Sequence, residues 1–267
     1  MKLAVLAGAL ALAAVAQAKE PMKLTPEALN ADASLSGPSV RGAAVSPDGK
    51  LVTILKGRPD DARQLDLWAY DIATGKARML VSSTDLVGEK TELSAEEKNR
   101  RERQRIYDYG IIDYQWDQQA KQILFPLGGD VFVYDLAAAK ATRVTKTDAF
   151  ETDAKFSEKG GYVSYVRGDE LYVYDLAAGK ERKITSGAGG TIRNAVAEFV
   201  AQEELSRDTG YWWSPDDSKI AFTQIDESPV PVVDRLEISA DKVETVAERY
   251  PFAGADNVTI KLAVTTP

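Results

Sequence analysis

Two adjacent carboxylates, Glu203 and Glu204, are the residues of this sequence whose spacing best suits the binding of a cation. Both lie near the C-terminal end of a predicted helix, where the helix dipole opposes negative charge. An ammonium has three N–H donors, and two carboxylates supply the charge and the acceptors that those donors need. Glu203 could instead pair with Arg207, four residues further along, as a solvated ion pair. The sequence leaves both interpretations open.

Arginines form a second group that could bind a ligand. Residues 94–97, Ser-Ala-Glu-Glu, are a capping box, and the polar residues that follow predict a helix. Arg101, Arg103 or Arg105, near the end of this helix, could offer a planar set of N–H donors to a carbonyl or a carboxylate. The alternative is a solvated helix that is held by its own ion pairs.

The composition excludes most other chemistry. The 267 residues include no histidine and no cysteine, so this chain cannot form a Ser-His-Asp triad, a Cys-His dyad, a histidine-ligated metal site or a thiolate zinc site. A formal charge of −8 argues against nucleic acid, whose binding proteins present a basic face, and favours positively charged or amine-bearing ligands. The sequence predicts neither a metal site nor another cofactor.

The first 18 residues have the pattern of a secretory signal peptide. A lysine at position 2 precedes an unbroken apolar run over residues 3–15, and Ala-Gln-Ala at 16–18 is a small-residue cleavage site. The run is short for a membrane span, so a retained anchor is the weaker alternative. We expect an exported protein, periplasmic or secreted, without membrane attachment after cleavage. A lead-in segment over residues 19–39 would precede the folded region over 40–267.

A repeat organises the folded region. Four turn segments, which begin at Val45, Trp116, Phe156 and Trp213, each precede a strand of β-branched and aromatic residues. The interval from Trp116 to Phe156 is 40 residues. Four short strands in each unit of that period are typical of a propeller blade. The sequence therefore predicts an all-β fold, a β-propeller of about four blades. A sandwich, the alternative all-β fold, does not explain a fixed period.

Two intervals exceed the period by 24 and 17 residues, which predicts two insertions between blades. The first insertion covers residues 84–109, with a helix near 92–109, and the second covers 187–209, with a helix near 192–207. Equivalent junctions of a propeller lie on one face, so both insertions should rise over the same surface. Asn194 is the predicted N-cap of the second helix. An apolar stripe would dock this helix on the propeller: Val196, Phe199, Val200 and Leu205.

Several further motifs occur in a fixed order along the chain: Leu35-Ser36-Gly37, Arg41-Gly42, the segment from Glu198 to Glu204, Trp212-Trp213-Ser214-Pro215-Asp216 and Tyr250-Pro251. In kind and order they resemble the N-terminal propeller of dipeptidyl peptidase IV, in the prolyl oligopeptidase clan of serine peptidases. The double-glutamate helix followed closely by Trp-Trp-Ser-Pro is the specific part of the resemblance. That family has an eight-bladed propeller followed by an α/β-hydrolase domain with a Gly-x-Ser-x-Gly elbow and a Ser-Asp-His triad.

The resemblance implies that Glu203 and Glu204 bind the free α-ammonium of a peptide substrate, which makes the enzyme release dipeptides. It also implies an arginine that contacts a substrate carbonyl, for which Arg105 is the first choice and Arg101 the second. Gln202 stands where the family often has a third acid. As partners, the family implies an α/β-hydrolase domain in the intact protein and leaves a homodimer open.

The chain lacks the catalytic residues of that family, since it contains no Gly-x-Ser-x-Gly motif and no histidine. We therefore expect the N-terminal part of an exported serine dipeptidyl peptidase, truncated before its catalytic domain and inactive alone. One alternative is a non-catalytic exported β-propeller that binds a peptide or protein partner. Another is an oligopeptidase of the same clan without dipeptide specificity.

Overall fold

The computed structural model describes residues 23–29, 40–87, 98, 101–102 and 104–267. The chain divides into two compact units, residues 1–37 and 38–267. Within the first unit, the described residues contain the short helix α1 (Pro26–Leu29). The predicted signal peptide and most of the predicted lead-in segment lie outside the described residues. None of the helices in the described part of the chain has the length and apolar character of a membrane span.

The second unit is built from antiparallel sheets that follow one another along the chain. The first sheet is a four-stranded meander: β1 (Arg41–Val45), β2 (Leu51–Gly57), β3 (Gln64–Asp71) and β4 (Ala77–Val81). The short helix α2 (Ser83–Val87) follows it, and β5 (Tyr109–Gly110) pairs in parallel with β3. The second sheet is formed by β6 (Gln115–Trp116), β7 (Gln122–Leu127), β8 (Asp130–Asp135) and β9 (Lys140–Arg143).

Two more sheets complete the series. The third has the same meander order: β10 (Glu151–Phe156), β11 (Tyr162–Arg167), β12 (Glu170–Asp175) and β13 (Lys180–Lys183). The fourth is formed by β14 (Ile192–Asn194), β15 (Tyr211–Trp213), β16 (Ile220–Asp226) and β19 (Thr259–Thr265). The helix α3 (Phe199–Glu204) lies between β14 and β15, and a separate hairpin is formed by β17 (Val232–Ile238) and β18 (Val243–Arg249).

One side chain at each tight turn holds the following strand in the same way in all four sheets. Its oxygen accepts a hydrogen bond of 2.9–3.1 Å from the backbone N–H five residues further along: Leu51 to Ser46, Gln122 to Asp117, Tyr162 to Ser157 and Lys219 to Ser214. Serine and aspartate form such local bonds readily, which is why they favour turns. The repeat in the sequence is therefore also a repeat of structure.

Three apolar clusters lie between consecutive sheets. Each joins buried side chains of neighbouring sheets: Leu67 with Phe125, Val131 with Tyr165, and Leu171 with Tyr211. Antiparallel sheets that pack face to face in chain order have the arrangement of propeller blades. The predicted all-β fold is confirmed, and the described sheets form a partial β-propeller.

Each of the first three blades also buries a carboxylate near the start of its third strand. These residues are Asp66, Asp130 and Glu170, each at most 4% exposed. Each accepts a hydrogen bond from a hydroxyl that follows the fourth strand of its blade: Ser83, Thr145 and Thr185, respectively. Because a buried acceptor without a donor is costly, these bonds tie the outer strand of a blade to the third strand. We call the three carboxylates the blade latches.

Candidate functional site

The second insertion carries α3, which is shorter than the sequence predicts. The prediction that it begins with Asn194 as N-cap is wrong: Asn194 ends β14 and is 1% exposed. Its side-chain amide donates to the Oε2 atom of the latch residue Glu170 over 3.0 Å, so it is not available as a cap. The next residue, Ala195, has a φ of 59°, which interrupts helical geometry.

The helix begins instead after Glu198, whose Oε1 atom accepts a hydrogen bond of 2.9 Å from the Ala201 N–H. Ala201 is fully buried, and Phe199 packs edge-on against Tyr250, with 5.1 Å between ring centroids. The predicted apolar stripe is wrong at its end, because Leu205 is 67% exposed. The helix therefore docks through its first turn and leaves its C-terminal end in solvent.

Glu203 and Glu204 are both exposed at that end of α3. Among the described residues, neither carboxylate has a hydrogen-bond or ion-pair partner. Of the two interpretations that the sequence leaves open, the ion pair of Glu203 with Arg207 does not form: Arg207 donates to the Thr209 carbonyl over 2.8 Å and lies 3.7 Å from Glu198. Adjacent carboxylates repel each other, so a bound cation would compensate both charges. Within the described ranges, no group of three or more acidic side chains is placed to hold a metal ion.

A cavity of about 360 Å³ is lined by residues of both insertions. Arg101 and Gln104 come from the first insertion, and Gln202 and Asp208 come from the second. Residues of neighbouring blades complete the wall, and this volume lies within the usual range of small-ligand sites. The prediction that both insertions meet over one surface is confirmed by this shared cavity.

The two arginines that the sequence singles out differ in position. Arg101 is half-buried on the cavity wall and donates to the Asp108 carbonyl over 3.3 Å. Arg105 is exposed, has a φ of 54° and lies outside the described lining of the cavity. Arg103 and the predicted capping box lie outside the described residues; within the helix predicted near 92–109, residues 98, 101 and 102 are helical.

The cavity wall also contains Glu151, which sequence reasoning missed. It is 3% exposed and accepts hydrogen bonds from Thr147 over 2.7 Å and Arg167 over 3.3 Å, and it shares the Thr145 hydroxyl with Asp130, at 2.9 Å from Glu151. Burial raises the pKa of Glu151, and these hydrogen bonds oppose the shift. In the sequence, the only sign of Glu151 is its position at the start of β10. Its partner Arg167 lies at the end of the next strand, β11, so the contact between them becomes visible only in the folded sheet.

The return of the second insertion to its sheet is held by Lys155. Its Nζ atom lies 3.1 Å from a carboxylate oxygen of Asp153 and 3.9 Å from the ring centroid of Tyr211. Thr209, the last residue of the insertion, donates to Asp153 over 2.7 Å. Burial lowers the pKa of Lys155, and the charge of Asp153 opposes the shift. These contacts connect a residue of the cavity wall, Asp153, with the chain that leaves α3.

Comparison with known proteins identifies a family and several relatives. The family model described as dipeptidyl peptidase IV (DPP IV) N-terminal region matches residues 113–267, more than half of the chain. Dipeptidyl peptidase 4 of Sus scrofa is 34% identical over 83 residues, 30% of this chain and 11% of that protein. Inactive dipeptidyl peptidase 10 of Rattus norvegicus is 35% identical over 85 residues, 30% of this chain and 10% of that protein. The aligned region thus spans about a tenth of each curated relative.

A solved structure agrees in fold. The crystal structure of Porphyromonas gingivalis dipeptidyl peptidase 4 matches with a TM-score of 0.63 and 22% identity, over 85% of this chain and 31% of that one. At that identity the likeness concerns the fold alone. The residues matched by the family model include the second insertion with Glu203 and Glu204, whereas the first insertion with Arg101 precedes them.

Proposed function

Since the chain belongs to the dipeptidyl peptidase IV N-terminal region family, we propose that it is the propeller part of an exported serine dipeptidyl peptidase. The enzyme removes N-terminal dipeptides, and its chemistry belongs to an α/β-hydrolase domain outside this chain. Glu203 and Glu204 hold the free α-ammonium of the peptide. The observation that carries this proposal is an exposed pair of carboxylates, without partners among the described residues, next to the cavity-lining Gln202.

The charges of both partners suit this binding. A peptide α-ammonium has an ordinary pKa of about 7.7–8.0, so it is mostly charged at pH 7. An exposed ion pair contributes only about 0–1 kcal/mol in water, but its hydrogen bonds strengthen once a bound peptide excludes solvent. The pair therefore favours a free amino terminus over an acetylated one, which has neither the charge nor three donors.

We assign the contact with a substrate carbonyl to Arg101 rather than to Arg105. Arg101 lies on the same cavity wall as Gln202, the neighbour of the acidic pair. A guanidinium has five N–H donors in a plane, a geometry that suits the oxygen of a peptide carbonyl, and Arg101 already donates to one such oxygen, the carbonyl of Asp108. Arg101→Met should then lower kcat/KM for dipeptidyl amides by about tenfold or more, whereas Arg105→Met should leave it unchanged.

The test of the acidic pair uses the full-length protein. Glu203→Ala and Glu204→Ala should each lower kcat/KM for a dipeptidyl amide with a free amine on the order of 100-fold, because a substrate misplaced by about 1 Å loses that much rate. Glu158→Ala, which removes an exposed carboxylate from a blade turn, is the matched control and should be silent. Unchanged kinetics in both variants of the pair would contradict the proposal.

A second candidate function is a non-catalytic exported β-propeller that binds a peptide or protein partner. The observation that favours it is the match to a relative whose name describes it as inactive. An active-site-directed fluorophosphonate separates the two functions, since it labels the serine of an active peptidase. Labelling together with dipeptide release supports the peptidase. Peptide binding without either result supports the second candidate.

Export is part of the proposal and has a direct test. Cleavage after residue 18 would give a mature protein that begins at Lys19. N-terminal sequencing of the protein recovered from the periplasm or the medium should find that residue. An intact Met1, with the protein retained inside the cell, would contradict export.

A homodimer is the remaining part of the proposal, and we place its contact on the β17–β18 hairpin. The hairpin lies outside the four sheets and exposes large apolar side chains: Val232, Leu236, Ile238 and Val243, each more than half exposed. Such a surface is typical of protein contacts, and two hairpin edges can pair across a symmetric dimer. Light scattering should find a dimer that Ile238→Glu converts to a monomer. A monomeric parent protein would contradict this contact.

A further inference from the structure

The helix α3 is too short to maintain its own geometry. It has six residues, fewer than two turns of 3.6 residues. Isolated helices of fewer than about 12 residues are marginal in water. The direction in which Glu203 and Glu204 face therefore depends on contacts made by the residues that flank the helix.

Glu198 makes the first of these contacts. It is 5% exposed, its Oε1 atom accepts the Ala201 N–H over 2.9 Å, and its backbone carbonyl accepts the Gln202 N–H over 3.1 Å. Its Oε2 atom is buried and accepts no hydrogen bond from the described residues. A carboxylate buried in this way needs a positive charge nearby.

Arg207 supplies that charge from the other end of the helix. Its Nη2 atom lies 3.7 Å from Glu198 Oε1, and its Nη1 atom donates to the Thr209 carbonyl over 2.8 Å. Its backbone N–H donates to the carbonyl of Ala201 over 3.0 Å. The two ends of α3 are thus joined to each other through the ion pair and through Ala201, the buried residue near the middle of the helix.

We propose that Glu198 and Arg207 are positioning residues, which fix the direction of the Glu203–Glu204 pair without touching the substrate. This rests on the proposed function, in which the pair binds the α-ammonium of a peptide. Loss of the cap and of the ion pair frees the first turn of α3, and the carboxylates at its end move with it. The effect falls on substrate binding, because neither residue belongs to the reacting groups.

Kinetics of the full-length protein test the proposal. Glu198→Ala should raise KM for a dipeptidyl amide with a free amine on the order of tenfold and change kcat less, a smaller effect than the roughly 100-fold cost of a full ångström of misplacement. Glu198→Gln keeps an oxygen that can accept the Ala201 N–H and should restore part of the loss. Arg207→Lys keeps the charge and should be milder than Arg207→Ala. Arg182→Ala, at an exposed arginine of β13, is the control without effect.

A double-mutant cycle separates positioning from a general loss of stability. If Glu198 acts through the pair, Glu198→Ala should add nothing further to KM in a Glu203→Ala, Glu204→Ala background, measured at raised enzyme concentration. An equal increase in both backgrounds, or no increase in either, overturns the positioning role. If Glu198→Ala does not fold, the Glu198→Gln and Arg207→Lys variants take its place in the cycle. A silent Glu203→Ala, Glu204→Ala variant would instead overturn the proposed function itself.

Discussion

Acidic side chains of this molecule occupy two contrasting environments. The blade latches Asp66, Asp130 and Glu170 are buried, and each accepts a hydrogen bond from a hydroxyl of its own blade. Glu203 and Glu204 are exposed on a short helix and have no partner among the described residues. The chemical group is the same, so the surroundings decide whether a carboxylate stabilises the fold or remains available to a ligand.

The two environments also differ in their relation to the repeat. Each latch occupies the same place in its blade, next to the outer strand that it fastens. The acidic pair lies in an insertion that breaks the period. Because both side chains are exposed there, the packing of the blades does not require a carboxylate at either position. A carboxylate at a repeated position is therefore accounted for by the fold, whereas one that interrupts the repeat calls for a different explanation.

The strongest test of this contrast is Glu170→Ala. It should lower the free energy of unfolding by about 3 kcal/mol, because Thr185, Asn194 and the Ala188 N–H all lose their buried acceptor. Urea denaturation measures the loss. Glu203→Ala is the counterpart and should change stability by less than about 0.5 kcal/mol, as exposed substitutions usually do. Equal losses in the two variants would remove the distinction.

Gly210→Ala tests how firmly the second insertion is fastened to the blade. A Cβ atom there would lie 2.4 Å from backbone atoms of Ala195 and Val196, so the returning chain must move away from these two residues, which directly follow β14. We expect a loss of about 2 kcal/mol, typical of overpacking in a dense region. Gly161→Ala is the control, because its Cβ would meet no atom within 4 Å. A similar, small effect at both glycines would mean that the insertion is loosely attached.

The sequence predicts the blades well and the insertions less well, for physical reasons. Ser46 and Ser214 bond to backbone five residues away, so the turn is encoded locally and recurs with the motif. Asn194 fails as a predicted cap because its partner, Glu170, is 24 residues distant, and only the folded sheet brings them together. Which of Arg101 and Arg105 lies on the cavity wall depends on where the first helix ends, which the identities of nearby residues do not specify.

The pH dependence of stability should have opposite signs at two buried glutamates. Burial raises the pKa of Glu151, so its contribution is fully present below the unfolded value of about 4.3 and is lost as pH rises through the folded pKa. At Glu170, burial alone would raise the pKa, but hydrogen bonds led by that from Thr185 lower it overall. Its contribution is present above pH 4.3 and is lost as pH falls.

Unfolding of Glu151→Gln and Glu170→Gln across pH 3–7 checks these signs, each against the parent protein. The free energy of unfolding of the parent minus that of the variant should fall with rising pH for Glu151→Gln and grow with rising pH for Glu170→Gln. Each unit of pKa shift corresponds to about 1.4 kcal/mol across the transition, so the effect is smaller than outright removal of the latch. If this difference in free energy changed with pH in the same direction for both variants, the two carboxylates would have the same kind of environment.

The smallest expected effects come from two exposed residues with left-handed backbone. Ser206, just after α3, has a φ of 51°, and Ala139, in the turn between β8 and β9, has a φ of 50°. The turns equivalent to that of Ala139 in the first and third blades place Gly75 and Gly179 there, with φ of 66° and 63°. Glycine relieves the strain at such positions, so each change to glycine should add about 0.5 kcal/mol to the free energy of unfolding.

Under the proposed function, the activity of the full-length protein then separates these two variants. Ala139→Gly relaxes a blade turn far along the chain from the acidic pair and should leave KM for dipeptidyl amides unchanged. Ser206→Gly adds freedom where α3 meets Arg207, so KM should rise about two- to threefold although the protein becomes more stable. If both variants gain stability and keep the parent KM, the acidic pair does not depend on a rigid helix end. The blade latches and the acidic pair would then differ only in that the latches are buried and the pair is exposed.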